Sequence, residues 1–530
     1  MNTQPIRFFH QGRLVEVSGV HPTRSVLDWL REDAHCTGTK EGCNEGDCGA
    51  CTVVIGELPE HTDAAAAQAG TVVRGLSLRT VNACIQFLPT LHGKALFTVE
   101  DLKTLGSGTA SPAANDSAAR HPVQRAMVEC HGSQCGFCTP GFVMSMFASY
   151  EHHLACGTRP SRQQLADDLS GNLCRCTGYR PILDAGQRMF DLPPVRLDTT
   201  PVIDALRGMR EERTFSYATP NLSHAERRVD HFHAPKTLQA LAQLREQQPT
   251  AQLLAGSTDI GLWVNKMFRD LGDIIYVGDV DELKAINARD DELYIGAGAS
   301  LETAWRALAK RFPDLLEVWL RFASVPIRNA GTMGGNVANG SPIGDSAPVL
   351  MALDAQIELR KGEQARRMPL ADFYTDYMKN HLQPGEFVQG LAVPLAPAGR
   401  RVRSYKISKR FDCDISALCT GFALRLDGDT VQDVRLAYGG MAGTVKLAAH
   451  AQQALIGQAW DQASVDAAKV ALTDDYKPLS DMRASAAYRM QVAQNLLQRF
   501  WLETRTDDPL PAQASSVWSV LPHDLDLQGA

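Results

Sequence analysis

Apolar and polar residues alternate at the start of the chain and then change to a helical spacing. The segments Ile6–Phe9 and Arg13–Val17 predict two strands joined by a glycine turn. A helix is expected from residue 24 to residue 32, and Thr52–Ile55 predicts a third strand. These elements indicate a small α+β domain over residues 1–93, in which the alanine-rich stretch 61–75 is expected to be a flexible insertion.

The pattern becomes helical from residue 94. An apolar segment at Phe142–Tyr150 follows Pro140, and Ser161 is a candidate N-cap for a later helix. These signals predict a helical domain over residues 94–190. The next stretch, 191–228, is polar and rich in proline, arginine and threonine, which predicts an interdomain linker.

From residue 229 onward the predicted strands and helices are mixed. Gln252–Leu254 and Ile274–Val277 have the composition of strands, and Leu238–Arg245 has the spacing of a helix. An α/β domain is therefore expected over 229–400. A further α+β domain is expected over 401–510, and residues 511–530 are expected to be a tail.

The composition narrows the class of protein. A chain of 530 residues with 44% hydrophobic and 21% charged residues is expected to fold into about three or four globular domains. Its net charge of −7 argues against a nucleic-acid partner, and no apolar run is long enough to span a bilayer. No secretory signal is visible at the N-terminus, so we expect a cytoplasmic protein. In that reducing compartment its 13 cysteines indicate metal ligation rather than disulfides.

Two groups of four cysteines stand out. The first is Cys43, Cys48, Cys51 and Cys84. Its initial x4 and x2 spacing is that of a plant-type [2Fe–2S] cluster, and Gly46 and Gly49 allow backbone amides to turn toward the sulfurs. Structural zinc is the alternative, although this spacing disfavours it.

The second group is Cys135, Cys138, Cys174 and Cys176. Its spacing alone also fits zinc, but a helix expected to begin beside Cys138 would place a positive helix end near a negative cluster. The remaining cysteines are expected to be small buried hydrophobic residues: Cys36, Cys130, Cys156, Cys413 and Cys419.

Two glycine-rich loops could bind a pyrophosphate. No Rossmann fingerprint follows an early strand. Gly256-Ser257-Thr258 could instead form an anion-binding nest, and Gly334-Gly335 could let a second backbone segment approach the same phosphates. Each loop alone is compatible with an ordinary glycine turn, whereas the two together favour a dinucleotide site.

Two segments resemble a known family. Residues 131–141, HGSQCGFCTPG, and 172–179, NLCRCTGY, resemble the helical [2Fe–2S] domain of molybdenum hydroxylases. Over about residues 5 to 510 the chain is similar to the small subunits that this family has in its bacterial xanthine dehydrogenase branch. The resemblance implies a multidomain α+β fold: a β-grasp plant-type ferredoxin domain, a helical [2Fe–2S] bundle, a two-part, non-Rossmann α/β FAD-binding domain and an α+β C-terminal flavoprotein domain.

The resemblance also implies residue roles. The first cysteine group would bind the cluster nearer the flavin and the second the cluster nearer molybdenum, with Gln134 and Cys176 against the pterin of a partner subunit. The implied FAD contacts are Leu253, Leu254, Ala255, Gly256, Ser257, Thr258, Asp259, Ile260, Phe322, Thr332, Gly334, Gly335, Asn336, Asn339, Asp345, Val388 and Lys406. Core packing is the alternative for Phe322 and Val388. Two features depart from the family: the long Cys51–Cys84 interval, and Cys413 where an acidic residue is common.

By this resemblance the chain is an electron-transfer subunit of an oxidoreductase. A large subunit with a molybdenum cofactor would oxidise hypoxanthine and xanthine, and electrons would pass through both clusters to FAD and then NAD⁺. The assembly would be a dimer of heterodimers, and no catalytic acid or base is expected on this chain. Related modules serve carbon monoxide, nicotinate, isoquinoline or aldehyde oxidation, and oxygen could replace NAD⁺. A zinc-stabilised, non-enzymatic scaffold is the remaining alternative.

Overall fold

The structure is a computed structural model. It describes residues 4–59, 72–105, 120–221, 228–289, 291–395, 399–517 and 519. The insertion predicted at 61–75 lies mostly outside the described residues; its end contains the strand Val72–Val73. The predicted tail is described only in its first part, which carries the short helix Ala512–Ser515.

A six-stranded sheet forms the first domain. Its strands are β1 (Ile6–His10), β2 (Arg13–Val17), β3 (Thr52–Glu57), β4 (Val72–Val73), β5 (Leu76–Asn82) and β6 (Ala95–Phe97), in the order β2-β1-β6-β3-β5-β4. A helical segment over residues 26–33 buries Leu27 and Leu30 against this sheet. The boundary predicted after residue 93 falls inside the sheet, because β6 pairs with both β1 and β3.

Helices form the second domain. They are Pro122–Glu129, Thr139–Cys156, Arg162–Asp168 and Arg180–Arg188. The longest, Thr139–Cys156, buries Phe142, Met146 and Phe147 in the centre of the bundle. The predicted N-cap at Ser161 is confirmed, since its hydroxyl accepts a hydrogen bond from the backbone of Gln164.

The segment predicted as a linker is largely structured, so that prediction was wrong. Residues 191–228 contain the helix Thr200–Gly208 and the strand β7 (Phe215–Pro220). Val202 and Leu206 of the helix are buried in the core of the helical domain, and Phe215 of β7 is buried beneath the first domain. Regularly spaced apolar residues thus give the helix and the strand of this segment a buried face, although the segment as a whole is polar in composition.

A small sheet with the order β7-β8-β10-β9 begins the third domain. The further strands are β8 (Val229–Ala234), β9 (Gln252–Leu254) and β10 (Ile274–Tyr276), and these three are parallel. The helix Leu238–Gln247 precedes β9, and the helix Ile260–Asn265 follows the loop that β9 leads into. This loop carries the first predicted flavin motif.

A larger antiparallel sheet completes the third domain. Its order is β11-β12-β17-β13-β14, with β11 (Ile286–Arg289), β12 (Glu292–Gly296), β13 (Gln356–Lys361), β14 (Gln364–Pro369) and β17 (Phe387–Pro394). A hairpin of β15 (Tyr374–Asp376) and β16 (Lys379–Asn380) lies beside it. The helices are Leu301–Arg311, Leu316–Arg321, Val325–Ala330, Met333–Asn339 and Ser346–Ala352. Trp305 and Trp319 are fully buried in the core they share with the sheet.

The last domain is a four-stranded antiparallel sheet covered by helices. The strands are β18 (Arg401–Ile407), β19 (Leu418–Asp427), β20 (Thr430–Gly439) and β21 (Lys446–Leu447); the helices are Ala449–Leu455, Gln462–Asp475 and Ala486–Thr504. The predicted multidomain α+β fold is therefore confirmed. Among the described residues, no helix combines the length and apolar character that a bilayer span requires.

Candidate cofactor sites

The first group of cysteines converges at one end of the first domain. The thiol of Cys43 contacts those of Cys48 and Cys84, and the thiol of Cys84 contacts that of Cys51. Backbone amides of Asp47 and Cys48 each donate to the Cys43 sulfur at 3.3 Å. Such N–H donors stabilise a thiolate and the negative charge of a cluster.

The second group converges on the surface of the helical domain. Cys135 Sγ and Cys176 Sγ are 3.6 Å apart, and the thiols of Cys138 and Cys174 are in contact. Burial, together with this neighbouring thiol, raises the pKa of Cys138 to about 12. Crowded thiols of this kind ionise together only when a metal centre offsets their charge.

The ligand chemistry of both groups fits a binuclear iron centre. A [2Fe–2S] core takes four cysteines, two for each iron, and the second group meets in two pairs, Cys135 with Cys176 and Cys138 with Cys174. Four cysteines are also a ligand set for zinc, so the assignment of iron to these groups stays a prediction.

The two cysteine loops are hydrogen-bonded to each other. The amide of Leu173 donates to the carbonyl oxygen of Cys48 at 3.0 Å, and Asn172 Nδ2 donates to Gly49 O at 3.0 Å. A Cβ at Gly49 would collide with the carbonyl oxygen of Gly171, so only glycine permits this approach. The two candidate clusters are therefore held by loops in direct backbone contact.

The first flavin motif packs tightly against a neighbouring loop. A Cβ at Gly256 would collide with the carbonyl oxygen of Ala330. Ser257 adopts a φ of 60° and is 5% exposed, and its hydroxyl has no hydrogen-bond partner among the described residues. Because an unpaired buried hydroxyl costs about 1–3 kcal/mol, a phosphate oxygen that accepts its hydrogen bond would relieve that cost. The loop thus fits the predicted pyrophosphate.

The second motif lies beside the first. Thr332 Oγ1 accepts a hydrogen bond from the Gly335 amide at 3.1 Å and so caps the helix Met333–Asn339. Gly334 in this helix packs so closely on Ala297 that a Cβ at Gly334 would collide with it. Asp259 of the first motif contacts the side chain of Asn339. The structure therefore brings both motifs together. The other predicted contacts lie along the same two segments: Leu253, Leu254, Ala255, Thr258, Ile260 and Asn336.

The contact at Gly256 yields a testable prediction. Gly256→Ala adds a methyl group that the Ala330 backbone has no room for, and overpacking of this kind costs about 1–3 kcal/mol. We expect FAD affinity to fall about tenfold, measured by equilibrium dialysis of the purified protein. Gly208→Ala is the matched control, because no atom lies within 4 Å of its added Cβ. Equal FAD affinity of both variants would show that the loop does not contact the cofactor.

A buried polar cluster lies at the other end of the predicted flavin site. Lys406 Nζ is 2.5 Å from Asp345 Oδ2 and donates to Ser416 Oγ at 2.9 Å, while Ser416 donates to Asp345 Oδ1 at 2.6 Å. The three residues are at most 3% exposed. The ion pair compensates for the desolvation of both charges, as a buried pair must. Ser416 was missed by the sequence analysis because it belongs to no motif.

Phe322 and Val388 have the environment of core residues. Phe322 is 9% exposed, with its ring 5.9 Å from that of Trp305, and Val388 is 7% exposed on β17. Both belong to the hydrophobic core of the larger sheet. The alternative of core packing is therefore supported for both, and their contact with FAD stays a prediction.

Cavities border both ends of the predicted flavin site. One of about 980 Å³ opens between the first three domains and is lined by Ala255, Gly256 and Thr332 among others. Lys406 lines a separate pocket of about 200 Å³ beside Arg321. The larger cavity therefore reaches the pyrophosphate loops and not the Lys406 end.

Cys413 faces the helical domain. It has a φ of 57°, and its thiol donates a hydrogen bond to Ser170 O at 3.3 Å. Burial raises the pKa of this thiol. Cys413, which stands where an acidic residue is common in the family that the sequence resembles, thus connects the β18–β19 loop to the helical domain. The neighbouring residues Asp412 and Asp414 supply acidic groups.

Two side-chain amides join the first cysteine loop to the first flavin motif. Gln86 Nε2 donates to Gly256 O at 3.0 Å, and Asn265 Nδ2 donates to Cys84 O at 2.8 Å. Sequence analysis missed both residues. The position of Gln86 two residues after a ligand was an available signal, whereas nothing local marks Asn265.

Four family descriptions match consecutive parts of the chain. They are a 2Fe-2S iron-sulfur cluster binding domain over 8–86, a [2Fe-2S] binding domain over 109–187, the FAD binding domain in molybdopterin dehydrogenase over 226–396, and the CO dehydrogenase flavoprotein C-terminal domain over 403–504. Their order is the order of the domains described above.

Curated relatives match nearly the whole chain. The xanthine dehydrogenase of Drosophila pseudoobscura pseudoobscura is 31% identical over 94% of this chain, and that of Emericella nidulans is 30% identical over 95%. Aldehyde oxidase 4 of Cavia porcellus is 28% identical over 94%. The chain spans 39% of the length of each of these relatives.

Solved structures align with about half of the chain. Reconstituted CO dehydrogenase from Oligotropha carboxidovorans has 26% identity and a TM-score of 0.48, covering 51% of this chain and 94% of that one. Quinoline 2-oxidoreductase from Pseudomonas putida 86 has 22% identity and a TM-score of 0.48, covering 53% and 98%. From its domain matches and relatives, the chain has the [2Fe–2S] and FAD architecture of the molybdenum hydroxylase family.

Proposed function

We propose that this chain is the iron–sulfur and flavin subunit of a xanthine dehydrogenase. It would pass electrons from a molybdenum-cofactor subunit that oxidises hypoxanthine and xanthine to FAD and then to NAD⁺. The proposal depends chiefly on one observation: one hydrogen bond joins the loop of the second cysteine group to that of the first, and another joins the segment after Cys84 to the flavin loop. The links are Leu173 to Cys48 and Gln86 to Gly256.

The residues of the chain have complementary tasks in this proposal. When bound, the two [2Fe–2S] clusters carry single electrons and FAD exchanges electrons in pairs. Cys51 and Cys84 are buried next to the flavin domain, which keeps water from these two thiols, whereas Cys43 and Cys48 are partly exposed. Ser257, Asp345 and Lys406 would orient FAD. We assign no proton transfer to this chain, so the proposed oxidation of purines belongs to the partner.

The surface around the second cysteine group suits a partner. Cys135 and Cys176 are exposed, and the apolar side chains of Phe137 and Tyr179 are 47% and 40% exposed beside them. Exposed aromatic residues next to a functional group are typical of protein interfaces. We propose that the molybdenum-binding large subunit covers this surface with its pterin near Gln134, in a cytoplasmic dimer of heterodimers.

The purified chain provides the test. Alone, it is expected to be brown, to contain iron and FAD, and to oxidise NADH with an artificial electron acceptor without any xanthine turnover. Addition of the molybdenum subunit is expected to produce xanthine-dependent reduction of NAD⁺. Xanthine oxidation by the chain alone would refute the division of labour, and a colourless protein with stoichiometric zinc would refute the cofactors.

An aldehyde is the second candidate for the partner's substrate. It is favoured by the similarity to aldehyde oxidase 4, whose identity of 28% is close to that of the xanthine dehydrogenases. Turnover of hypoxanthine, an aldehyde and nicotinate by the assembled complex would separate these candidates. The comparison should be run with both NAD⁺ and oxygen as acceptor.

A further inference from the structure

The first cysteine loop and the first flavin motif are connected by two side-chain amides that donate in opposite directions. Gln86, from the cysteine-bearing domain, donates to the carbonyl oxygen of Gly256 at 3.0 Å. Asn265, from the helix after the flavin motif, donates to Cys84 O at 2.8 Å and to Asn44 O at 3.3 Å. We call Gln86 and Asn265 the amide clasp.

The amide clasp contacts backbone next to cluster ligands. Cys84 is itself a proposed ligand, and Asn44 follows the ligand Cys43 and has a left-handed φ of 56°. Asn44 Oδ1 also accepts from Asn265 Nδ2 at 3.2 Å. The conformation of the loop around Cys43 therefore depends on a side chain of the flavin domain.

The same interface leaves little freedom on the flavin side. Gln86 is 5% exposed, so the carbonyl of Gly256 would lose a buried donor if the amide were removed. A Cβ at Gly261 would lie 2.9 Å from the carbonyl oxygen of Ile85, which is the residue between Cys84 and Gln86. The backbone of the flavin helix thus rests directly on the backbone of the cysteine loop.

We propose that the amide clasp couples binding of FAD to binding of the plant-type cluster. The inference rests on the proposed cofactors of these two sites. A bound cluster would fix the two separate segments that carry Asn44 and Cys84, so that Gln86 is presented to Gly256 and the flavin motif is ordered. Bound FAD orders the flavin motif in turn, which presents Asn265 to the cysteine loop. Coupling of two binding sites is reciprocal by thermodynamic necessity.

The affinity of the full chain for FAD tests this coupling. Cys51→Ser removes a cluster ligand that the clasp does not contact, and we expect it to weaken FAD binding by about 5- to 150-fold, the usual range for coupled sites. Cys36→Ser is the matched control, since Cys36 is a buried cysteine of the same domain that belongs to neither cluster group, and it should leave the FAD dissociation constant unchanged. The dissociation constant is measured by flavin fluorescence.

The clasp variants provide the second part of the test. In Gln86→Leu and Asn265→Leu, the ratio of FAD dissociation constants with and without Cys51→Ser should fall toward one. Gln187→Leu is the control, because Gln187 donates to Pro160 O at 2.9 Å within the helical domain. Conversely, the plant-type cluster should lose iron to a chelator faster without FAD, and this difference should disappear in the clasp variants.

The outcomes separate this inference from the proposed function. Equal FAD affinity of the wild type and Cys51→Ser, or coupling that persists in both clasp variants, overturns the inference while leaving both cofactors in place. Absence of iron and FAD from the wild type overturns the proposed function instead. If Cys51→Ser also loses the paramagnetic signal of the helical-domain cluster, the ratio is taken against Cys135→Ser, which removes a ligand of that cluster alone.

Discussion

Replacing Cys84 with serine is expected to abolish the plant-type cluster and to halve the iron bound per chain. Cys84 is almost fully buried and contacts two other thiols of its group, so no water or neighbouring cysteine can substitute for it. Four thiolates are needed to hold the [2Fe–2S] core. Iron analysis and paramagnetic resonance of the reduced protein, which should retain a single cluster signal, are the measurements.

Cys36→Ser is the matched control for that experiment. Cys36 is also buried in the first domain, and its sulfur accepts from Gln11 Nε2 at 3.2 Å without contacting the four thiols. Its replacement should leave the iron content unchanged. If Cys84→Ser retained both cluster signals, the fourth ligand would have to be another group, and the long Cys51–Cys84 interval would be the first place to search.

Lys406→Met is expected to lower the free energy of unfolding by about 3–5 kcal/mol, because it leaves the carboxylate of Asp345 buried without its cation. The pair is among the most deeply buried in the described chain, with both side chains below 5% exposed. Thermal unfolding of the protein without FAD isolates this structural effect. A fall in FAD content of the purified variant should accompany it.

Two further variants make the Lys406 experiment specific. Lys379→Met breaks the exposed pair with Asp376, which is 3.0 Å long, and should change stability by about 1 kcal/mol or less. The double variant Lys406→Met/Asp345→Leu removes both charges and should recover much of the lost stability. A Lys406→Met variant as stable as Lys379→Met would contradict the role assigned to the pair.

Local patterns in the sequence were sufficient for several of the elements and for the choice of candidate ligands. Strand β2 was predicted with the bounds that the structure has, and the structure brings the eight cysteines together in the two groups that were predicted, whose ligation of iron stays a prediction. The two flavin motifs were also recognised, and the structure places them side by side. Their contacts with cofactors stay predictions.

Features that depend on contacts between domains could not be predicted from the sequence. Gln86, Asn265 and Ser416 have partners 170, 181 and 71 residues away along the chain, and only Gln86, two residues after a proposed ligand, carried any local signal. The linker prediction failed for a related reason. Phe215 and Val202 stabilise their segment by packing on other domains, whereas composition reports only the segment itself.

The strand β7 has a consequence for how the gene could be divided. Phe215 and Tyr217 lie in one continuous hydrophobic core with Phe8 and Trp29 of the first domain and Phe232 of the third. The ring of Phe215 stacks on His92 with centroids 3.7 Å apart. A cut between residues 191 and 228 would expose this core on both fragments. Recombinant fragments and fusion proteins should therefore keep residues 4–276 together. The ferredoxin and flavin domains should not be exchanged as independent units.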